Sequence, residues 1–360
     1  MHYLQPAFAK SVLKWFEISG RKHLPWQNPR TPYRVWISEV MLQQTQVATV
    51  INYFDKFIAA FPTIKKLAAA DQDSVLHLWS GLGYYSRGRN LHCTAQRLVE
   101  NHGSKLPDKF EALIELPGIG RSTAGAILSL GHNKFGVILD ANVKRVLCRY
   151  FGVVGWPGDT SISKILWQLA TDHTPHEHTA FYNQAMMDLG ALICTPKNPQ
   201  CMQCPLQKNC TAFQEQKISH FPQKRVTNTK PVRQSIWLVL QTDNNHVLLS
   251  QKPSNGLWGG LWCFPEFSNE KELNLFLSQI KNKIFQKKYK QSFRHTFSHF
   301  HLDVAPIFIN VRSQIHQSVQ ENLLNTETSI SHQWVNLFSI PNLGLAAPVK
   351  KILNSLKSSV

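Results

Sequence analysis

The spacing of apolar residues divides the chain into two parts. Up to about residue 215, apolar positions recur every three or four residues, as on the buried face of an amphipathic helix. This pattern predicts helices over 7–18, 46–60, 71–79, 86–101, 120–131, 140–150, 161–170 and 175–190. Another helix should begin at Thr31-Pro32, because threonine caps helix N-termini and proline suits the first turn. We therefore expect a mainly α-helical domain over 1–215.

The pattern then changes to that of a linker followed by β-strands. Residues 216–232 are polar and basic and contain two prolines, which favours a linker. Apolar runs bounded by turn residues follow. They predict strands at Ile236–Leu240, Val247–Ser250, Leu302–Asn310 and His332–Val335. A lysine-rich stretch over 270–290 predicts a helix, so residues 233–355 should form an α+β domain.

The charge of the chain indicates its class of partner. Lys and Arg number 39 against 22 Asp and Glu, which gives a net charge of +17. Such a basic protein usually meets nucleic acid or an anionic membrane surface, although a merely basic surface is the alternative. We find no apolar run long enough to span a membrane and no signal-peptide pattern. We therefore expect a cytoplasmic protein without a membrane partner.

Four of the seven cysteines lie within 17 residues, at Cys194, Cys201, Cys204 and Cys210. Four thiolates can hold either zinc or an iron–sulfur cluster. The intervals of six, two and five residues resemble the cluster loop of the endonuclease III superfamily of DNA glycosylases. This resemblance implies a 4Fe-4S cluster on the 194–210 loop, with structural zinc as the alternative.

The segment Leu116-Pro117-Gly118-Ile119-Gly120 joins two predicted helices. Its glycines permit a tight turn and a close approach of the backbone to a ligand. The segment resembles a helix-hairpin-helix motif, which holds DNA phosphates without reading sequence. The alternative is an ordinary turn between helices.

Asp140 precedes the predicted helix 140–150 and is by default its N-cap. After a helix-hairpin-helix motif, it matches the carboxylate that faces the sugar C1′ in this superfamily. There it stabilises, or attacks, the oxocarbenium ion. The family usually has glycine where this chain has Ala141. Bifunctional relatives carry lysine at the position of Ser122, and a hydroxyl cannot form their imine. The resemblance therefore implies base removal without strand cleavage.

Glu39 lies in the string Thr31–Val47 among apolar residues. It could face solvent, or its pKa could be raised so that it acts as a general acid. The string, preceded by Pro25-Trp26, closely resembles the MutY family of adenine DNA glycosylases. The resemblance implies that Glu39 protonates adenine N7 while Asp140 faces the developing cation, a division of labour known from glycoside hydrolysis.

The same resemblance implies a set of DNA contacts. Trp26 would line the pocket of the flipped adenine, while Gln43, Gln44 and Tyr84 would contact the orphaned 8-oxoguanine. For Tyr84, packing beneath a glycine turn is the alternative. The remaining helical-domain residues that we expect at the DNA are Gly118, Gly120, Ser122 and Asn142.

Residues 256–265 resemble the start of a Nudix-like domain. The carboxylate-rich box that holds Mg²⁺ in nucleotide hydrolases of that class does not follow, so we expect a recognition module without pyrophosphatase activity. Phe297, Ser298 and His299 match the F-S-H loop that reads 8-oxoguanine in the MutY family; a hairpin with a polar tip is the alternative. Five lysines without an intervening acidic residue precede this segment, and they form either a solvated helix face or a stripe that faces DNA phosphates. They are Lys281, Lys283, Lys287, Lys288 and Lys290.

These expectations describe a monomeric, DNA-associated enzyme that removes adenine from A:8-oxoguanine and A:G mispairs in double-stranded DNA. Two alternative functions would require different chemistry. A non-catalytic iron–sulfur DNA-binding protein would need neither Glu39 nor Asp140. A glycosylase/lyase for oxidised pyrimidines would need lysine in place of Ser122.

Overall fold

A computed structural model describes residues 6–225, 229–280, 284–313 and 331–358. The chain forms two compact units. The first comprises Met1–Ala69 and Asn90–Thr227, and the second comprises Ala70–Arg89 and Asn228–Val360. Residues 70–89 thus belong, by their contacts, with the C-terminal part of the chain.

The first unit is helical, as the sequence predicts. Its helices are α1 (Pro6–Ser19), α2 (Pro32–Leu42), α3 (Val47–Ala60), α4 (Ile64–Ala68), α6 (Ser86–Asn101, which starts in the second unit), α7 (Phe110–Ile114), α8 (Arg121–Ala126), α9 (Ala141–Phe151), α10 (Thr160–His173), α11 (Thr179–Asp188) and α12 (Thr211–Gln214). Turns of π-helix continue α8 over Ile127–Gly131 and α11 over Leu189–Ile193.

Helix α9 runs through a core that holds this unit together. Leu147 of α9 is fully buried with Val12 of α1, Leu166 of α10 and Ala185 of α11. The end of α1 is fixed by Arg21, whose backbone amide and guanidinium both donate to the buried Asp188 carboxylate at 2.6–2.8 Å. Since Asp140 precedes α9, this core fixes the position of the candidate catalytic carboxylate.

The second unit contains a mixed sheet. Its strands are β1 (Val232–Thr242), β2 (His246–Gln251), β3 (Trp262–Cys263), β4 (Glu266–Phe267), β5 (Ile284–Tyr289), β6 (Phe293–Thr296), β7 (His301–Val311) and β8 (His332–Asn336). The main order is β3-β2-β1-β7-β5, and β4, β6 and β8 pair with β1, β7 and β2. Strands β1 and β7 are parallel, with Val232 opposite His301 and Thr242 opposite Val311. Helices α5 (Gln72–Trp79), α13 (Glu270–Ile280) and α14 (Ala347–Lys357) complete the unit.

The helix predicted over 270–290 is correct only in its first half. Helix α13 ends at Ile280, and Ile284–Tyr289 is strand β5. Pairing of β5 with β7 overrides the local preference of these residues for a helix. Lysines are well suited to such an edge strand, because their charge discourages pairing with another chain. Lys287 and Lys288 lie on this strand, so they do not form a helical stripe. Lys281 and Lys283 lie outside the described residues.

Segment 70–89 forms hydrogen bonds with the C-terminal part of the chain within the second unit. Ser80 Oγ donates to the carbonyl of Leu345 at 3.2 Å, and the indole N–H of Trp262 donates to the carboxylate of Asp73 at 3.1 Å. Within the described residues, no helix is both long and apolar enough to cross a membrane.

Candidate active site

Glu39 lies on α2, between buried residues on both sides. Thr31 caps this helix by accepting from the amide of Arg34, and Pro32 occupies its first turn, as predicted. The residue as a whole is half-buried. Burial of its carboxyl group raises the pKa of Glu39 to about 8, with a smaller contribution from the negative charge of Asp140. A protonated carboxylic acid at neutral pH is therefore expected here.

Asp140 caps α9 and faces the same region as Glu39. Its Oδ1 accepts from the amide of Val143 at 2.8 Å, and its Oδ2 accepts from the side-chain amide of Asn142 at 3.0 Å. Burial raises the pKa of Asp140, while these hydrogen bonds oppose the shift because they favour the carboxylate. The N-cap interpretation and the catalytic one are thus compatible.

The interactions of Asn142 continue inward through Arg145. Asn142 Oδ1 accepts from Arg145 Nη2 at 2.8 Å, and the same guanidinium donates to the carbonyls of Gly190 and Cys194 at 2.6 and 2.7 Å. Both polar ends of Asn142 therefore have internal partners. We did not single out Arg145 from the sequence; the available signal was an arginine on the apolar face of a helix.

The four cysteines of the 194–210 loop line one small cavity of about 30 Å³, together with apolar residues such as Ile193 and Phe213. All are free thiols, and Arg149 Nη1 donates to Cys194 Sγ at 3.3 Å. Burial raises the pKa of the Cys204 thiol to about 12. Among the described residues, no three His, Cys, Asp or Glu side chains converge on the position of a single ion. Four sulfurs around an apolar cavity fit a 4Fe-4S cluster.

The hairpin glycines have different surroundings. Gly118 has φ +79°, and a Cβ there would lie 2.9 Å from the Cβ of Asn90. Gly120 has an ordinary φ of −89°, and a Cβ there would meet nothing within 4 Å. Pro117 is tied to α6, since its carbonyl accepts from Thr94 Oγ1 at 2.8 Å. Gly118 is thus required by the fold, whereas Gly120 leaves an open surface where a ligand could approach.

This difference gives a matched pair of variants. Gly118→Ala should lower the free energy of unfolding by roughly 1–2 kcal/mol, since alanine disfavours positive φ. Gly120→Ala should leave thermal stability nearly unchanged but weaken binding to duplex DNA, because its methyl group would occupy the approach of a phosphate. Melting curves and binding titrations on both variants check this; equal DNA affinity for Gly120→Ala and the unaltered protein would count against a hairpin contact.

Ser122 supports the segment that leads to Asp140. Its Oγ accepts from the amide of Leu139 at 3.1 Å.

The two glutamines that follow α2 differ in their surroundings. Gln43 caps the end of α2, and its Nε2 donates to Thr123 Oγ1 at 3.4 Å. Gln44 is exposed and has φ +58°. Trp26 is 6% exposed and packs edge-on against Phe54, with ring centroids 5.5 Å apart. Only a small part of the Trp26 surface is therefore available to a base.

Tyr84 lies in the second unit and projects from a strained turn. It is 45% exposed, has φ +47° and follows the positive-φ glycines Gly81 and Gly83. Arg87 is buried beneath it and donates to the carbonyls of Leu82 and Gly83 at 3.2 and 3.1 Å. Backbone strain of this kind costs about 1–3 kcal/mol and is concentrated at functional sites. The alternative of a packed aromatic applies to its neighbour Tyr85, which is buried.

Phe297–Phe300 form the tip of the β6–β7 hairpin, closed by the amide of Phe297 donating to the carbonyl of Phe300 at 2.9 Å. Ser298 and His299 are exposed at this tip. Phe297 stacks on Phe300 and meets Trp258 edge-on, with centroids 4.7 and 5.2 Å apart. The F-S-H segment is thus a hairpin tip on an aromatic base. We did not identify Trp258 as part of this base from the sequence.

Three family models match the chain. Residues 37–171 match the HhH-GPD superfamily of base excision DNA repair proteins, 194–210 the iron–sulfur binding domain of endonuclease III, and 236–355 a NUDIX domain. A thermostable thymine-DNA glycosylase matches at 28% identity with a TM-score of 0.53, over 58% of this chain and 95% of that one. A structure of an endonuclease III–DNA complex, 22% identical with a TM-score of 0.52, shares the fold. The chain is therefore a helix-hairpin-helix DNA glycosylase with an iron–sulfur cluster.

Two relatives specify the family further. The adenine DNA glycosylase of Buchnera aphidicola subsp. Acyrthosiphon pisum is 44% identical over 353 residues, 98% of each chain. The human adenine DNA glycosylase is 36% identical, over 82% of this chain and 65% of the human one. The chain belongs to the adenine DNA glycosylase family, whose members remove adenine from DNA in base excision repair.

Proposed function

We propose that this enzyme releases adenine from A:8-oxoguanine mispairs, and more slowly from A:G mispairs, without cutting the strand. The observation that carries the proposal is the pair of carboxyl groups, Glu39 and Asp140, whose environments differ. Among the described residues, no hydrogen bond stabilises the charge of Glu39, whereas Asp140 accepts two. One group is suited to donate a proton and the other to remain negative.

Glu39 supplies the proton. The glycosidic bond is inaccessible in stacked DNA, so the adenine must leave the duplex before reaction. With a pKa of about 8, Glu39 is mostly protonated at neutral pH and can still release its proton to adenine N7. Protonation makes the base a better leaving group, because the electrons of the broken bond then reside on a neutral adenine.

Asp140 stabilises the positive charge that develops on the sugar. A fixed carboxylate in a poorly hydrated site interacts strongly with a nearby cation. The amides of Val143 and Asn142 hold its two oxygens, so little reorganisation is needed as the charge forms. The cluster, when bound, supplies structural cross-linking of the 194–210 loop, while Arg145 connects that loop to Asn142.

Ser122 accounts for the absence of strand cleavage. Its hydroxyl accepts a hydrogen bond from the backbone of Leu139 and has no amine chemistry to offer. Water from the solvent adds to C1′ of the sugar cation and releases a proton, so the product is an abasic site in an intact strand.

Exposed groups are assigned to recognition of the opposite base. In the first unit, Gln44 can offer its amide to a base edge. In the second unit, Tyr84 can stack in the gap left by the adenine. In the same unit, Ser298 Oγ lies 3.2 Å from His299 Nδ1, and these two exposed side chains can present their remaining hydrogen-bonding capacity to the modified edge of 8-oxoguanine.

One assay tests the reaction. The protein is incubated with duplexes containing A:8-oxoguanine, A:G or thymine glycol:A, and half of each sample is treated with alkali. We expect strand breaks at the adenine only after alkali, fastest in the first duplex. Nicks before alkali, or reaction only with the oxidised pyrimidine, would exclude the proposal.

The hairpin tip should control the preference for 8-oxoguanine. Ser298→Ala removes a hydrogen bond and should reduce the ratio of the A:8-oxoguanine rate to the A:G rate by about 5- to 10-fold, as expected for about 1 kcal/mol. Ser292→Ala, at an exposed serine outside the tip, is the control. Trp258→Ala should lower the same ratio, because it removes the aromatic support of Phe297. If both variants keep the ratio of the unaltered protein, the hairpin does not read the base.

A further inference from the structure

A cleft of about 450 Å³ lies outside the Glu39–Asp140 site in the helical unit, between the end of the hairpin and helix α10. None of the residues that line it is acidic. Those that matter here are Arg121, Thr160, Ser163, Lys164, Trp167 and Gln168. Its lining thus combines two cationic side chains with hydroxyl and amide donors and one aromatic ring.

Arg121 is held in this cleft by stacking. Its guanidinium carbon lies 3.9 Å from the ring centroid of Trp167. Within the part of the chain that the structure describes, its side chain contacts this ring and has no hydrogen-bonding or ion-pairing partner. A guanidinium that stacks through its face keeps its N–H groups available along its edge, and that edge matches the oxygens of a phosphate. The indole therefore orients a guanidinium whose edge can bind an anion.

Helix α10 contributes the opposite wall. Thr160 and Ser163 lie in its first turn, and Lys164 follows on the exposed surface. Gly158 precedes the helix at a place where a Cβ would come within 2.2 Å of the Trp156 ring, which fixes the course of the backbone at this edge. This wall therefore supplies an ammonium group and hydroxyl donors. Like the guanidinium of Arg121, these groups favour binding of an anion.

We propose that this cleft binds a phosphodiester of the DNA strand that passes the hairpin. Arg121 directly follows Gly120, the hairpin residue with open space before it, so one strand can meet both. The net charge of +17 and the absence of acidic lining favour a polyanion over a neutral ligand. This inference rests on DNA binding by the family and not on the proposed choice of mispair.

The salt dependence of DNA binding tests the cleft. The affinity for an undamaged duplex is measured over a series of salt concentrations for the full-length holoprotein, Lys164→Gln and Arg121→Gln. Because both groups would contact one phosphodiester, each single variant should reduce the slope of log K against log salt by at most about one, and the double variant Arg121→Gln/Lys164→Gln should reduce it by about one. Lys10→Gln removes one exposed charge from α1 and should keep the slope of the unaltered protein. The visible absorbance of the cluster confirms that each variant is folded.

A slope that stays the same in both Lys164→Gln and Arg121→Gln would overturn the proposal. If inorganic phosphate nevertheless binds, as measured by Trp167 fluorescence with Trp167→Phe as reference, the cleft holds a free anion instead. Because the duplex is undamaged, these outcomes are independent of adenine release, and failure of the mispair assay would not change them.

Discussion

Glu39→Gln should slow adenine release from an A:8-oxoguanine duplex by about 10²- to 10⁴-fold, the usual contribution of a general acid. Glutamine has the shape of the protonated acid but no proton to give at this pH. Duplex binding should persist, because the amide fits the same partly buried space. Single-turnover rates and binding titrations measure the two effects separately, and loss of both would make Glu39 a structural residue.

The pH dependence provides an independent check on Glu39. The acid is active while protonated, so the rate should fall as the pH rises through about 8. A carboxyl whose pKa is raised on folding also favours the folded state at low pH, and this stability declines from about 4.5 towards 8. Glu39→Gln should lose both dependences. Glu17→Gln, at an exposed position on α1, should keep both; a rate that does not change across pH 8 would contradict the assignment.

Asp140→Asn should produce the second large effect. Asparagine caps helices about as well as aspartate, so α9 should remain intact. The negative charge is lost, however, and the rate should fall by about 10²- to 10³-fold, as when a preorganised electrostatic contact is removed. Asp140→Ala is the reference for the cap itself and should lower stability by about 1 kcal/mol. Single-turnover rates and melting curves separate the two roles.

The same variant should change the titration of Glu39. Asp140 contributes to the raised pKa of Glu39, so removing its charge should move the high-pH decline in residual activity to lower pH. An unchanged profile would mean that the two groups do not interact. An unchanged rate in Asp140→Asn would restrict Asp140 to capping.

The local signals in the sequence were sufficient for much of the helical unit. Thr31 and Pro32 marked the start of α2, and Asp140 marked α9, because caps depend on neighbouring residues alone. Glu39 could be singled out by its apolar neighbours, but its pKa depends also on a carboxylate a hundred residues away. Neither the helix caps nor the apolar neighbours of Glu39 indicate which mispair the enzyme prefers.

Features that depend on distant contacts could not be predicted in this way. The 284–289 stretch has a composition that suits a helix, and only its pairing with β7 makes it a strand. Arg145 and Trp258 acquire their importance from partners elsewhere in the chain, Cys194 and Phe297. A single sequence offers no measure of such proximity.

The membership of residues 70–89 in the second unit affects how the protein can be dissected. A fragment cut within 216–232 would retain this segment, yet it would lose Leu345 and Trp262, which bond to Ser80 and Asp73. Tyr84 would then sit on a segment deprived of its packing partners. If such a truncated enzyme distinguished A:8-oxoguanine from A:G only weakly, the cause would be the altered surroundings of Tyr84 as well as the missing hairpin. Point variants at Tyr84 and at the hairpin separate these two contributions.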